Sequence, residues 1–252
     1  MIHIIGCALI LTMLVFGTFD VTAEVLLQED FEGELDLTTK WQTGHPKFVY
    51  PKDGILYLNQ KKSGGDYVSI RSFAVFSDVI IYYEWFIIEW SGQGDGGGAL
   101  RQAADGSYWM RWWGRRNVKV TTHKTGPAPV NAWQPFPVKG GEALTNYDQA
   151  SDHFILKAAL MTSEKRVTIH IWDITDKPIQ VADWEIKDDT FKSGNISFDC
   201  WKFGIYGVDN VIVATPEHEE EIFSDNFDPH GLAVQPEGKL TMMWGDLKLN
   251  GW

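Results

Sequence analysis

The sequence predicts an all-β fold, a two-sheet antiparallel jelly-roll sandwich, and three observations predict it. Short apolar runs rich in Val, Ile, Tyr, Phe, Trp and Thr recur about a dozen times, separated by Gly, Pro, Asn and Asp. No run has a convincing helical period or the strand–helix alternation of a parallel sheet. Length sets the domain count, because the 252 residues less an N-terminal leader match one sandwich or barrel.

The leader is residues 1–23. From Ile4 to Phe19 the chain is almost purely apolar, and Val21-Thr22-Ala23 ahead of Glu24 has the small-residue pattern of a signal-peptide cleavage site. The apolar run is short of the roughly 20 residues of a membrane span. The expectation is a secreted or extracytoplasmic protein with no membrane span in the mature chain, retention as an N-terminal anchor being the alternative.

Strands are expected at 24–31, 55–59, 67–73, 79–90, 98–103, 108–113 and 118–122, then at 154–162, 167–173, 195–198, 203–206 and 210–214. Parity assigns faces: Val167, Ile169 and Ile171 point one way, and Thr168, His170 and Trp172 the other. Trp109, Arg111 and Trp113 share a face opposite Tyr108, Met110 and Trp112. The run 79–90 is apolar on both faces and reads as a central strand covered on each side.

Two stretches do not read as strands. Residues 125–151 carry four prolines and the Gly140-Gly141 pair among aromatics, which marks a packed functional loop. From Thr215 on, Glu217-His218-Glu219-Glu220-Glu221 reads as a solvated acidic run. Residues 222–228 echo 26–32 and suggest an edge strand or the stub of a second module. The expected organisation is a signal peptide at 1–23, a sandwich at 24–215, and an acidic linker and tail of unknown role at 216–252.

Charge and cysteine content exclude several classes. A net charge of −12 argues against nucleic acid and anionic membranes, both of which need a basic footprint. Cys200 is the only cysteine after the leader, so no intrachain disulfide forms within the mature chain and the core must supply stability. Between Phe198 and Trp201, that thiol reads as a buried apolar residue.

Tryptophan carries the functional signal: all 12 lie after the leader. Sugar rings stack their C–H faces on indoles and need amide, carboxylate or guanidinium partners for their hydroxyls. A face with Trp109, Arg111 and Trp113, near His170 and Trp172, has that chemistry, with Glu84 as a further hydrogen-bonding partner. Core filling is the competing reading for any single indole.

Catalysis is less visible. Glu84 and Glu89 lie five residues apart on one strand, roughly 16 Å and on opposite faces, whereas retaining glycosidases hold two carboxyls about 5–5.5 Å apart. The glycines from Gly92 to Gly97 lead into another strand, so they form a hairpin loop and no phosphate cradle. His153, after Asp152, has no assignable nucleophile. Asn195-Ile196-Ser197 is a glycosylation sequon. Asp30 and Asp209, at the ends of the first and last strands, are candidates for a shared structural calcium.

In order along the chain, Glu29-Asp30-Phe31-Glu32-Gly33, Asp53-Gly54-Ile55-Leu56-Tyr57-Leu58, the long strand at 79–90, Asp152–Lys157, Ser193–Phe198 and Val208-Asp209-Asn210-Val211 resemble the concanavalin A-like lectin/glucanase superfamily, including its LamG-like members. The resemblance covers most of residues 24–215. It implies a sandwich with one concave saccharide-binding face, often with a calcium ion, and places Trp109, Arg111, Trp113 and Trp172 near that face and Asp209 near the metal. The laminarinase-type hydrolases carry Glu-x-Asp-x-x-Glu, and here Phe86 stands at the Asp position. A 3-keto-disaccharide hydrolase-like domain is a second relative with a similar strand plan. The expectation is an exported carbohydrate-binding module with a Trp-lined concave face. The alternatives are a glycoside hydrolase with Glu84 as its acid and a structural extracellular domain.

Overall fold

A computed structural model gives the fold and describes residues 23–63, 68–89, 95–102, 106–113, 117–124, 132–135, 153–161, 164–175, 178–187, 191–201 and 204–232. In chain order the strands are β1 (Val25–Glu29), β2 (Trp41–Gln42), β3 (Val49–Lys52), β4 (Ile55–Asn59), β5 (Val68–Ser72), β6 (Val79–Glu89), β7 (Asp95–Gln102) and β8 (Gly106–Trp113). They continue as β9 (Asn117–Lys124), β10 (Ala132–Pro135), β11 (His153–Met161), β12 (Arg166–Asp173), β13 (Ile179–Lys187), β14 (Asn195–Trp201) and β15 (Ile205–Ala214). One sheet has eight strands, ordered β13-β12-β11-β6-β15-β4-β3 with β1 also on β15; the other has seven, ordered β10-β9-β8-β7-β14-β5-β2. Every pairing between these strands is antiparallel.

The core lies between the sheets. Val79, Ile81, Tyr83, Trp85 and Ile87 of β6, with Val167, Ile169 and Ile171 of β12, meet Val68, Ile70, Tyr108, Ile196, Phe198 and Cys200 of the other sheet. Strand alternation puts Ile80 and Tyr82 on the outer side of the eight-stranded sheet, where they are equally buried in a second cluster. The unbroken apolar run of β6 thus reflects burial on both faces, as expected. Cys200 is a free, buried cysteine, and burial pushes its thiol well above the usual range.

Sequence reading missed β3 and β13, because Pro51 and the alternating charges of 183–187 mask their strand character. It divided β15 at the bulge around Asn210, whose φ of 49° interrupts the ladder between Asp209 and Ile212. The Asp53-Gly54 dipeptide, at φ 53° and 73°, closes a two-residue hairpin between β3 and β4. Within the stretch read as a loop, 132–135 form β10; the rest of 125–152 lies outside the described residues.

Glu217, Glu220 and Glu221 are exposed, as a solvated acidic run requires, but the run is ordered as secondary structure. Residues 216–218 make a 3-10 turn and Glu219–Ile222 a short helix, α1, laid on the outer face of the eight-stranded sheet. Ile222 and Leu232 join Val25, Ile80, Tyr82, Met161, Ile212 and Ala214, with Phe223 and Phe227 packed alongside. No edge strand is formed by 222–228. Arg166 grips Glu219 through two hydrogen bonds of 3.0 and 3.1 Å. Among the described residues no helix is long and apolar enough to cross a membrane.

Candidate functional site

The residues singled out from sequence fall on two sheets. Trp109, Arg111 and Trp113 are on β8 in the seven-stranded sheet, whereas Glu84, His170 and Trp172 are on β6 and β12 in the eight-stranded one. The expectation that all six share one face is corrected by this topology.

On the seven-stranded sheet, Tyr108 of β8 and Phe198 of β14 are buried in the core, so positions of the opposite parity form the outer face. Register aligns those positions in three rows. One runs Arg71, Ser197, Ala99, Trp109. The next runs Ser69, Asp199, Gly97, Arg111, and the third Trp201, Asp95, Trp113. Small residues therefore hold the middle of the face, and indole and guanidinium positions flank it. Ser197 and Asp199 are buried although they stand on this outer face. At the far edge the exposed Arg71 donates a 3.2 Å hydrogen bond to Gln42 Oε1. The side chains of Trp109, Arg111 and Trp113 lie outside the described residues.

Sequence reasoning missed Asp199, because strand 195–198 was ended three residues early. The available signal was the alternation of Ile196, Phe198 and Cys200, which leaves Asp199 as a charged residue inside a strand.

The eight-stranded face is built differently. Trp172 is 5% exposed, with Lys157 Nζ 4.2 Å from its ring centre and the His170 ring stacked 5.7 Å away. Phe223 packs edge-on against His170 at 4.6 Å, and Phe227 against Tyr82 at 4.8 Å. Lys157 donates to the Ser224 carbonyl, and burial lowers its ammonium to about 8. Trp172 is thus covered by Lys157, which in turn reaches the C-terminal segment at Ser224, and His170 sits between Trp172, Gln180 and Asp183.

Glu84 faces His153 Nε2 at 2.9 Å and accepts hydrogen bonds from Tyr82 and Asn210, each 3.0 Å. Burial pushes its carboxyl up, but the His153, Asn210 and Tyr82 contacts outweigh that and hold it below its ordinary value. The acid role expected for Glu84 would need its carboxyl to hold a proton against these contacts. Glu89, of opposite parity, pairs with Lys61 at the strand end. Asn195 of the sequon donates to the carbonyls of Ser72, Phe73 and Ala74, so its amide is already engaged.

Asp209 is the register partner of Glu84. Burial, with the charges of Glu84, Asp30 and Glu32, raises its carboxyl to about 6. Among the described residues no three His, Cys, Asp or Glu side chains gather closely enough to hold a metal. A calcium ion shared by Asp30 and Asp209 would need main-chain oxygens to complete its shell.

No family model matches the chain, and no curated protein does. Solved structures do match. One, described with endo-acting O-glycanases that prominent members of the human gut microbiota express to initiate mucin breakdown, has a TM-score of 0.55 at 13% identity over 76% of this chain and 99% of its own. A β-1,3-1,4-glucanase (lichenase) derived from a mouse hindgut metagenome gives 0.53 at 11% identity, covering 77% and 99%. β-Agarase A from Zobellia galactanivorans gives 0.54 at 11%, covering 77% and 92%. The chain has the fold of the concanavalin A-like lectin/glucanase jelly rolls. At these identities the likeness is one of fold.

Proposed function

We propose that the chain is an exported, lectin-like module that recognises a polysaccharide or glycoconjugate through the outer face of its seven-stranded sheet. The observation that carries the reading is the row Asp199, Gly97, Arg111, with Trp109 and Trp113 in the rows on either side. Small residues at register positions 97 and 99 stand between indole positions that offer stacking faces and a guanidinium position that meets hydroxyls. A glycan array tests it: the wild type is expected to bind at least one polysaccharide, and Trp113→Ala to weaken that binding at least about tenfold, near 1.4 kcal/mol. Binding to no polysaccharide removes the proposal.

A second reading, a glycoside hydrolase, has one observation in its favour. Asp95 and Asp199 occupy diagonal positions on adjacent strands of this face, about 7–8 Å apart by strand geometry. Release of reducing ends that stops in Asp199→Asn, while binding survives, selects hydrolysis over binding alone. Calcium at Asp30 and Asp209 is proposed as a structural ion; added calcium would then raise the melting temperature, and Asp209→Asn would abolish the rise.

A further inference from the structure

Charge is spread unevenly along this chain. The net charge is −12, yet residues 106–141 hold no Asp or Glu, while Arg111, Arg115, Arg116, Lys119, Lys124 and Lys139 all fall there. The same stretch contributes β8, β9 and β10, which stand together at one end of the seven-stranded sheet.

Arg111 of β8 pairs directly with Lys119 of β9. Tyr108, of the opposite parity, is in the core, so Arg111 and Lys119 share the outer face with Trp109 and Trp113. Directly opposed residues on one face hold their Cβ atoms about 4.5–5.5 Å apart, and like charges so placed repel. Asp95 is diagonal to Arg111, and Asp199 lies beyond Gly97, so both carboxylate positions are on the Arg111 side. Lys119 has Arg111 as its direct partner and Trp109 and Trp113 as its diagonal ones. Neither β9 nor β10 contains an Asp or Glu. Among the described residues, register therefore places no carboxylate position beside Lys119. A bound anion relieves the repulsion of such a pair, and an oxyanion suits it because a guanidinium bonds one bidentately. Trp109 and Trp113 each stand two residues from Arg111 along β8, about 6.8 Å by strand rise. A sugar stacked on either indole thus brings its own acidic substituent, or that of the next sugar, to the pair.

We propose that the glycan taken by this face is acidic, its carboxylate or sulfate groups meeting the Arg111 and Lys119 positions. The inference rests on the face being a glycan site and names the class of glycan. Nucleic acid, which needs a broad basic footprint, suits a chain of net charge −12 less well. The test is calorimetric titration of polygalacturonate, alginate, dextran sulfate and chondroitin sulfate, beside methyl-esterified pectin, dextran and oligo-dT, at about 20 and 300 mM NaCl. At least one acidic polysaccharide is expected to bind at least about tenfold more tightly than either neutral one, and to lose most of that advantage at the higher salt. Arg111→Gln and Lys119→Gln should each cut the advantage at least about fivefold, and Lys119→Arg should keep it. The tighter ligands identify the group as carboxylate or sulfate. Circular dichroism checks folding, Lys119→Gln decides if Arg111→Gln is misfolded, and the salt dependence of the wild type needs neither variant. Neutral polysaccharides bound as tightly as acidic ones overturn the inference and leave the glycan-binding reading intact. So does an advantage that survives both glutamine variants, or oligo-dT bound as tightly as the best polysaccharide. Binding to none of these ligands overturns it together with that reading.

Discussion

On the outer face of the eight-stranded sheet Trp172 is buried beneath Lys157, which bonds to a residue that follows the last strand. On the outer face of the seven-stranded sheet Trp109 and Trp113 sit at register positions beside Gly97 and Ala99. Both groups stand on strands of similar pattern, with the opposite parity buried in the same core. What separates them is the make-up of the outer face around them. Ile80, Tyr82, Ile212 and Ala214 make the eight-stranded outer face apolar, and such a face must be buried against something. Ile222, Phe223, Phe227 and Leu232 provide it. The centre of the seven-stranded outer face carries Ser197, Asp199 and Gly97 and makes no such demand. An outward-facing indole is therefore core on one sheet and a binding candidate on the other.

The sharpest way to break this contrast is to truncate one indole on each sheet. Trp172→Ala is expected to cost about 3–5 kcal/mol in urea unfolding, the range for a buried aromatic, and Trp113→Ala under about 1 kcal/mol. Equal losses would mean that the two faces are both core. Ile222→Ala comes next, at about 2–4 kcal/mol, if α1 is an integral cover. A loss below about 0.5 kcal/mol would return the segment to the solvated linker its acidic residues suggest.

A pH dependence sharpens the same point. Lys157 is lowered to about 8 in the folded chain from an ordinary 10.5. Between those values the unfolded chain holds the extra proton, so stability rises as pH climbs through the window and the penalty is fully present below pH 8. From pH 7 to 9.5 the gain is about 2 kcal/mol, and Lys157→Met should flatten the curve. A wild-type curve that is already flat would place the amine in water. The smallest effect belongs to Arg166 and Glu219, whose coupling in a double-mutant cycle should be about 1 kcal/mol and shrink with salt.

Sequence made the sandwich legible because period-two alternation survives wherever one face is buried. Val167, Ile169 and Ile171 are inward as parity requires, and β6 is covered on both sides. The site was only half legible for a reason of topology. Parity assigns a residue to one side of its strand, but not its strand to a sheet, so His170 and Trp172 were grouped with β8. Asp199 stands opposite Gly97 because β14 lies beside β7, a neighbour far away in the chain that no local pattern predicts. The role of Ile222 was hidden by Glu219, Glu220 and Glu221, whose charges mask the one side chain that enters the core.

Under the proposed function the seven-stranded outer face holds the glycan. Calorimetric titration of the strongest array ligand into the wild type, Trp113→Ala and Trp172→Leu, each verified as folded, decides it. At least about a tenfold loss of affinity is expected in Trp113→Ala, with wild-type affinity in Trp172→Leu. Wild-type affinity in Trp113→Ala, with the loss in Trp172→Leu instead, would contradict it.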